Sequence, residues 1–328
     1  METDVLLEIR DLETRFFTSR GIAPAVDGVS LVVRRGKALG LVGESGCGKS
    51  MTAFSVLRLI PNPPGRITGG KILFEGVDLL TLPETAMRDI RGNKIAMIFQ
   101  EPQSALNPVL TVGYQIMEGI RLHQKVSRSE ARDRAVELLR RVKIPSPEMR
   151  INDYPHQLSG GMKQRVMIAM ALGCNPSFLI ADEPTTALDV TVQAQILELL
   201  REIQAEFKMS ILLITHDLGV VAEMAEDVAV MYAGKIVEYT SAAALFARPL
   251  HPYTQGLFHS LPRMGGKKER LTAIPGTVPS PVAWPPGCRF HPRCARALPE
   301  CRIAVPPLRE IEPGHRVACV LDFQRRDS

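Results

Sequence analysis

Apolar residues follow two patterns along the chain: short continuous runs, and longer stretches with helical spacing. Residues 5–18 alternate between apolar and polar side chains, which is typical of a half-buried strand. Further short apolar runs also predict strands, some of them fully buried. These runs are residues 26–33, 37–43, 70–76, 94–100, 177–183, 210–216 and 227–239. Together the runs predict a core built on β-sheet.

Two stretches carry the spacing of amphipathic helices. Ser127 and Glu130 fit a capping box in front of the helical run 131–142. Residues 191–207 place apolar side chains three or four positions apart, which forms one apolar helix face. These side chains are Val192, Ile196, Leu200, Ile203 and Phe207. The alternation of strands and helices predicts an α/β fold with a largely parallel sheet.

Proline becomes frequent after about residue 245. Because proline lacks an N–H group and has a fixed φ, this region is expected to form neither a long helix nor a central strand. A chain of 328 residues is long enough for two domains. We therefore predict a core of residues 1–245 and an irregular, proline- and cysteine-rich extension of residues 246–328.

Charge and composition restrict the class of protein only mildly. The formal net charge is +5 and no long basic run is present, so we predict no nucleic-acid partner. The acidic N-terminus is unlike a signal peptide, and no apolar stretch approaches the roughly eighteen residues of a membrane span. We expect a reducing compartment, in which the six cysteines do not form a disulfide framework.

A glycine-rich stretch between a predicted strand and a predicted helix fits the phosphate-binding pattern GxxxxGKS/T. Its residues are Gly43, Glu44, Ser45, Gly46, Cys47, Gly48, Lys49 and Ser50. The glycines let backbone N–H groups face a phosphate, Lys49 can reach the β- and γ-phosphates, and Ser50 can ligate Mg²⁺. An ordinary glycine-rich turn is the alternative. The strand–loop–helix context favours a nucleotide such as ATP.

A pair of acids follows the apolar run that ends at Ala181. Asp182 stands where a carboxylate close to Mg²⁺ belongs, and Glu183 stands where a base could polarise an attacking water. A solvated turn at the end of a strand would show the same pattern. Together with the phosphate loop, however, the pair indicates an ATPase site.

Ser159, Gly160 and Gly161 precede an apolar, helix-forming run. They would expose backbone N–H groups at a helix N-terminus, where an anion binds without any basic side chain. A plain N-cap on a core helix is the alternative. The order of all these motifs along the chain favours the anion site.

That order resembles the ATP-binding subunit of ABC transporters over roughly residues 5–240. The motifs are the phosphate loop, Gln100, the LSGG stretch 158–161, residues 180–184, Ala187-Leu188-Asp189 and His216. The resemblance implies a P-loop ATPase cassette, an α/β fold with a mixed sheet core and a helical subdomain at about residues 101–172. It also implies two cassettes that clasp two ATP molecules head to tail, with the LSGG stretch of one cassette facing the phosphate loop of the other.

The same resemblance assigns roles to individual residues. Gln100 would join Ser50 at the Mg²⁺ ion, sense the γ-phosphate and couple to membrane subunits. Asp189 would communicate across the pair of cassettes. His216 would hold the attacking water and the γ-phosphate, which makes Glu183 and His216 the expected catalytic residues.

Two positions need separate comment. Phe16 fits the aromatic residue that stacks on adenine in the family, with Phe17 or a simple packing role as alternatives. Met162 stands where the family commonly has a glutamine. Since the phosphate contacts need the serine and the backbone amides, we expect function to survive this replacement.

Several stretches resemble the dipeptide and oligopeptide importers within this family. They are residues 98–108, 154–166, 248–257, 274–281 and 287–294. The resemblance implies a second, homologous ATPase subunit, two polytopic permease subunits and, indirectly, an extracytoplasmic solute-binding protein. It places the chain peripherally at the cytoplasmic face of the membrane. A soluble ABC ATPase of translation or DNA repair is the alternative, but such proteins usually carry two cassettes or a long coiled coil.

Four cysteines of the extension have the spacing C-x5-C-x6-C-x17-C. They are Cys288, Cys294, Cys301 and Cys319. Four thiolates suit zinc or an iron–sulfur cluster, and a metal can supply folding energy to a segment with little core. The short knuckles of structural zinc sites are missing here, and the peptide-importer resemblance points to a 4Fe–4S cluster, which we predict; zinc and free thiols stay open. We interpret His291 and His315 as polar loop residues, and Cys47 and Cys174 as structural.

Overall fold

The computed structural model describes residues 4–186, 188–260 and 274–323. Contacts divide the chain into two compact units. The first unit comprises residues 1–6, 33–38 and 74–214, and the second comprises residues 7–32, 39–73 and 215–328. The extension predicted at residues 246–328 therefore belongs to a unit that also contains the phosphate loop.

The elements alternate between strands and helices, as predicted for an α/β fold. The strands are β1 (Val5–Thr18), β2 (Gly21–Arg34), β3 (Ala38–Val42), β4 (Gly65–Phe74), β5 (Val77–Asp78), β6 (Ile95–Ile98), β7 (Phe178–Asp182), β8 (Ser210–Thr215), β9 (Asp227–Tyr232), β10 (Lys235–Ser241), β11 (Arg309–Glu312) and β12 (His315–Val317). The helices are α1 (Lys49–Val56), α2 (Glu84–Ile90), α3 (Pro102–Ala105), α4 (Val112–Gln124), α5 (Arg128–Arg141), α6 (Pro147–Arg150), α7 (Gly160–Leu172), α8 (Val190–Phe207), α9 (Leu218–Met224), α10 (Ala242–Ala247) and α11 (Pro252–His259).

A parallel ladder forms the sheet of the first unit. β6 pairs with β7, and β7 pairs with β8, both in parallel. Every residue of β7 and β8 is buried, which explains why these strands read as continuous apolar runs rather than as alternating ones. Their carboxyl ends place Asp182 at one edge of the sheet.

Helices α4, α5 and α7 pack against one another in the first unit. Ser127 caps α5 as predicted, because its hydroxyl accepts a hydrogen bond from the Glu130 N–H group at 3.2 Å. The Glu130 carboxylate binds Arg134 at 2.7 Å, one turn further along the helix. The local sequence therefore specified the start of this helix correctly, while the acid serves an i,i+4 ion pair.

The second unit contains a mixed sheet. β9 pairs in parallel with β3 and antiparallel with β10. The single apolar run 227–239 is two strands, because Ala233 and Gly234 take positive φ values of 48° and 84° and turn the chain. In a separate sheet of this unit, β1 lies between β2 and β4.

The C-terminal extension is more regular than its proline content predicts. α11 begins with Pro252 in its first turn, where a missing N–H group costs nothing. β12 pairs with β10 and with β11, so the extension adds strands to the mixed sheet. Tyr253 and Phe290 are buried in the same cluster as Tyr232. Short strands and a proline-led helix leave too little periodicity for sequence analysis to find them.

A buried carboxylate fastens the extension to β10. Glu238 is fully buried and accepts hydrogen bonds from the backbone N–H groups of Leu250 and His251, at 2.8 and 2.9 Å. Its Oε1 atom also contacts His315 Nε2 at 2.7 Å. His315 is thus a buried residue of β12, which corrects its interpretation as a polar loop residue.

The neighbouring imidazole of His251 makes stability depend on pH. Burial lowers the pKa of His251 to about 4 from its ordinary value of 6.5, against the opposing influence of Glu238. Between pH 6.5 and pH 4, His251 therefore binds a proton in the unfolded chain but stays neutral in the folded chain. We expect the free energy of unfolding to fall over this range as pH falls, by on the order of 3 kcal/mol.

Urea denaturation at a series of pH values measures this effect. His251→Asn is the matched control. In the wild type, the Tyr253 N–H group donates a hydrogen bond to His251 Nδ1, and the side-chain oxygen of asparagine can accept the same bond. The variant should lose stability less steeply between pH 6.5 and pH 4. Parallel curves for the two proteins would show that His251 is not the titrating group.

Candidate functional site

The phosphate loop connects β3 to α1 in the second unit, as the motif requires. Gly48 has a φ of +111°, and a Cβ atom there would lie 2.3 Å from the carbonyl oxygen of Ala25. A Cβ atom at Gly43 would lie 2.2 Å from the carbonyl oxygen of Met231. The glycines are therefore required by close backbone contacts as well as by backbone conformation.

Lys49 is held inside the loop. Its side chain is buried, and Nζ donates hydrogen bonds to the carbonyl oxygens of Gly43 at 2.7 Å and Glu44 at 3.1 Å. Ser50 follows in the first turn of α1. The arrangement places a positive charge and a hydroxyl beside a curled backbone, which is the composition of a phosphate site.

Cys47 is a buried residue of the phosphate loop. Its thiol is 1% exposed, and burial raises its pKa, so it stays a neutral thiol. Its carbonyl oxygen accepts a hydrogen bond from the Gly234 N–H group at 2.8 Å. Cys174 is also buried, and burial likewise raises its pKa. Both thiols lie among packed residues of their own units.

Glu44 has partners that sequence analysis missed. Its N–H group donates to the Tyr253 hydroxyl at 2.8 Å, and its carboxylate binds Arg293 through two hydrogen bonds of 2.6 and 2.9 Å. Both partners belong to the stretches 248–257 and 287–294, which were noted for their resemblance to peptide importers. The resemblance marked these stretches as features of the group, but it did not indicate that Tyr253 and Arg293 contact the phosphate loop.

Two predicted site residues of the first unit meet directly. Gln100 Nε2 donates to Glu183 Oε2 at 3.1 Å, although β6 ends at Ile98 rather than at Gln100. The Thr186 hydroxyl, which sequence analysis did not select, donates to the same oxygen at 2.9 Å. The carboxylate of Glu183 is therefore held by two neutral donors.

The backbone at Glu183 is unusual. Its φ is +46°, and its N–H group donates to the carbonyl oxygen of Ile214 at 2.8 Å. Asp182 precedes it as the last residue of β7 and is 2% exposed. A non-glycine residue in the left-handed region is a strained position of the type found at active sites.

The LSGG stretch opens α7. Ser159 is the N-cap, and its hydroxyl accepts from the Met162 N–H group at 3.4 Å. Ser159 and Gly160 are exposed, whereas a Cβ atom at Gly161 would lie 2.9 Å from Val192. The plain N-cap is therefore present, and it leaves the first turn of this 13-residue helix open to solvent, so the predicted anion site stays a prediction.

The remaining predicted residues lie at element ends or on β1. Asp189 caps α8 through a hydrogen bond of 2.9 Å from the Val192 N–H group, and Ala187 of the same motif lies outside the described residues. His216 is exposed directly after β8. On β1, Phe16 is half-buried and Phe17 is exposed.

The four cysteines of the extension lie near one another. Burial, together with charge repulsion from the other three thiols, raises the pKa of Cys288 to about 11. The pKa values of Cys294 and Cys319 are raised in the same way, and each is influenced by Cys301. All four are free thiols. Within residues 4–186, 188–260 and 274–323, no three His, Cys, Asp or Glu side chains converge closely enough to hold a single metal ion.

In the part of the chain that the structure describes, no helix combines the length and apolar character that crossing a membrane would need.

Comparison with known families agrees with this architecture. Residues 26–186 match the ABC transporter family, and residues 237–301 match the oligopeptide/dipeptide transporter C-terminal region. Among solved structures, the chain is similar to the dimeric structure of MJ0796, described as a bacterial ABC transporter cassette. The TM-score is 0.65 and the identity 28%, over 72% of this chain and 99% of that one.

Two curated relatives match along almost the whole chain. "Probable peptide ABC transporter ATP-binding protein y4tR" of Sinorhizobium fredii is 54% identical over 97% of this chain and 95% of its own length. "Oligopeptide transport ATP-binding protein AppD" of Bacillus subtilis is 52% identical over 96% of both. Fold and loop define an ATP-binding cassette with ATPase activity. The chain belongs to the ABC transporter ATP-binding subunits, in their dipeptide and oligopeptide group.

The steric role of the loop glycines can be tested by substitution. We expect Gly48→Ala to weaken ATP binding about tenfold to hundredfold, because the added Cβ atom meets the Ala25 carbonyl and costs about 1–3 kcal/mol of strain. Gly46→Asn is the control, since Gly46 also has a positive φ but open space around it. Titration with a fluorescent ATP analogue gives both affinities. Equal losses would show that the contact with Ala25 is not what requires glycine.

Proposed function

We propose that this chain is the ATP-hydrolysing subunit of an importer that moves dipeptides, oligopeptides or related small solutes across the cytoplasmic membrane. The match of residues 237–301 to the oligopeptide/dipeptide transporter C-terminal region carries the proposal, because that region lies outside the ATPase motifs. The names of the relatives y4tR and AppD point to the same class of solute. Residues 1–245 form the nucleotide-binding domain, with a helical subdomain at about 101–172, and residues 246–328 form the extension.

ATP lies in the phosphate loop of the second unit. The loop of Gly43, Glu44, Ser45, Gly46, Cys47 and Gly48 surrounds its phosphates. Its backbone N–H groups bind them, other than those of Glu44 and Cys47, which donate to the Tyr253 hydroxyl and the Glu44 carbonyl. Lys49 exchanges its bonds to the loop carbonyls for the β- and γ-phosphate oxygens, while Phe16 stacks on adenine. Oxygen donors of the kind that Mg²⁺ prefers are carried by Ser50 in the second unit and by Gln100 and Asp182 in the first. When bound, Mg²⁺ neutralises charge on the phosphate oxygens.

Glu183 is the general base, and His216 holds the attacking water and the γ-phosphate. Gln100 and Thr186 both donate hydrogen bonds to the Oε2 atom of Glu183 and so fix the orientation of its carboxylate. A positioned base supplies typically 10²–10⁴-fold of rate. The carboxylate is thus in position before the substrate binds, so the active site needs less reorganisation to reach the transition state.

A second cassette completes each ATP site. Ser159, Gly160 and Gly161 expose the start of α7, so their N–H groups serve a nucleotide that is bound by a homologous partner subunit. Asp189 communicates across this pair. ATP binding closes the pair and hydrolysis reopens it, provided that ATP binds more tightly to the closed state.

Two polytopic permease subunits carry the solute, and an extracytoplasmic binding protein delivers it to them. This chain sits peripherally on the cytoplasmic face of the membrane, paired with a different but homologous ATPase subunit. No nucleic acid takes part. The competing assignment, a soluble ABC ATPase of translation or DNA repair, has no support in the names of the relatives quoted above.

Glu183→Gln tests the proposed reaction. The amide keeps the size of the side chain but cannot take a proton, so we expect ATP binding to persist while turnover falls at least about a hundredfold and peptide uptake stops. The exposed Glu198→Gln on α8 is the control and should behave as wild type. Turnover is measured as phosphate release by the complex co-isolated with its membrane subunits.

Near-normal turnover in Glu183→Gln would remove Glu183 from its role as base. Co-sedimentation with ribosomes that survives high salt, without membrane partners, would contradict the importer and favour the soluble alternative.

The clustered thiols support a further part of the proposal, a 4Fe–4S cluster bound by Cys288, Cys294, Cys301 and Cys319. Burial and mutual repulsion disfavour ionised thiols, and iron would relieve both costs by accepting thiolate charge. The sulfurs of a zinc site lie only about 4 Å apart, as Zn–S bonds of about 2.3 Å require, and a cubane cluster spans a wider set. Zinc remains the alternative.

Iron and acid-labile sulfide, measured on protein purified without oxygen, test the cluster. We expect about four of each per chain, strongly reduced in Cys294→Ser because one ligand is lost. Cys174→Ser, which removes a thiol from the other unit, should leave the content unchanged. Stoichiometric zinc without iron would refute the cluster.

A further inference from the structure

The C-terminal extension contacts the phosphate loop at Glu44. Its Oε2 atom lies 2.6 Å from Arg293 Nη1, and its Oε1 atom lies 2.9 Å from Arg293 Nη2. This is the paired geometry in which a guanidinium holds a carboxylate most firmly. Arg293 is 6% exposed at its side chain, so the pair is largely shielded from water on the arginine side.

Arg293 is itself fixed by several contacts. Nε donates to the Pro275 carbonyl at 2.8 Å, and Nη2 approaches the Ile274 carbonyl at 3.4 Å. The guanidinium also lies over the Tyr232 ring, 5.8 Å from its centroid. The guanidinium carries its charge throughout, because arginine is not deprotonated in proteins. A side chain so constrained loses little further entropy in holding the loop.

Tyr253 holds the backbone of the same residue. Its hydroxyl accepts a hydrogen bond from the Glu44 N–H group at 2.8 Å, and its ring is fully buried beside Tyr232 and Phe290. Burial raises the pKa of Tyr253, so the hydroxyl remains neutral. Side chain and main chain of Glu44 are thus both fastened to the extension.

The position of Glu44 matters to Lys49. The Glu44 carbonyl oxygen accepts from Lys49 Nζ at 3.1 Å and from the Cys47 N–H group at 3.3 Å. A displacement of Glu44 would therefore move two groups of the loop. In addition, a free carboxylate in this loop would repel the phosphates of ATP, and the charge of Arg293 cancels that repulsion.

We propose that Arg293 is a positioning residue for ATP: it neutralises and holds Glu44, so that the extension keeps the phosphate loop in its binding conformation. The inference rests on the proposed nucleotide site. Tyr253 assists through the backbone of Glu44. In this way the extension contributes to the ATP-binding step of the ATPase cycle.

A double-mutant cycle tests this role. We expect Arg293→Met to weaken the affinity for a fluorescent ATP analogue about tenfold to hundredfold, because it leaves an unpaired carboxylate beside the phosphates. The loss should appear in KM rather than in kcat. Adding Glu44→Gln to Arg293→Met should recover most of the affinity, because the repelling charge is then gone. Glu44→Gln alone completes the cycle.

Arg302→Met is the matched control, since it removes an exposed arginine from the same segment and should leave the affinity unchanged. Arg293→Gln is measured in parallel, so that misfolding of one variant does not decide the result, and thermal midpoints are compared for all. An Arg293 variant that binds as wild type, or a double variant as weak as the single one, overturns the proposal. Loss of the proposed function would be seen differently, as a wild-type protein that fails to bind the analogue.

Discussion

The burial of Lys49 against the carbonyl oxygens of Gly43 and Glu44 constrains everything around the phosphate loop. A buried ammonium needs close oxygen partners, and two backbone carbonyls can supply them only if the chain curls tightly. That curl leaves no room for a side chain at Gly48, where a Cβ atom would lie 2.3 Å from the Ala25 carbonyl oxygen. The charge of the lysine, the glycines and the curvature of the loop therefore depend on one another.

The extension is part of the unit that carries this loop. Glu238 binds two backbone N–H groups and His315, which fixes the start of α11 and the position of β12. Tyr253, at the start of α11, then reaches Glu44. A buried carboxylate with several donors is costly to disrupt, because removing one partner leaves the others unsatisfied. Hydrogen bonds therefore link β10 to the phosphate loop through Tyr253, and Arg293 binds the same loop residue through its carboxylate.

The acidic residues of the first unit follow a different principle. Glu183 accepts hydrogen bonds from Gln100 and Thr186, two neutral donors that fix its orientation. Glu44, in contrast, is paired with a cation and is thereby made compatible with an anionic ligand. The two glutamates illustrate how the partners of a carboxylate set its electrostatic environment.

The sequence by itself determined the phosphate loop, the helix start at Ser127, the buried strands and the family. Each of these depends on residue types at fixed short spacing, because backbone conformation and burial are imposed locally. It did not reveal the ion pair of Glu44 with Arg293, the burial of His315 or the strands of the extension. Only the tertiary structure decided these, because the partners are far apart in the chain, 249 positions for Glu44 and Arg293, and no local periodicity connects them.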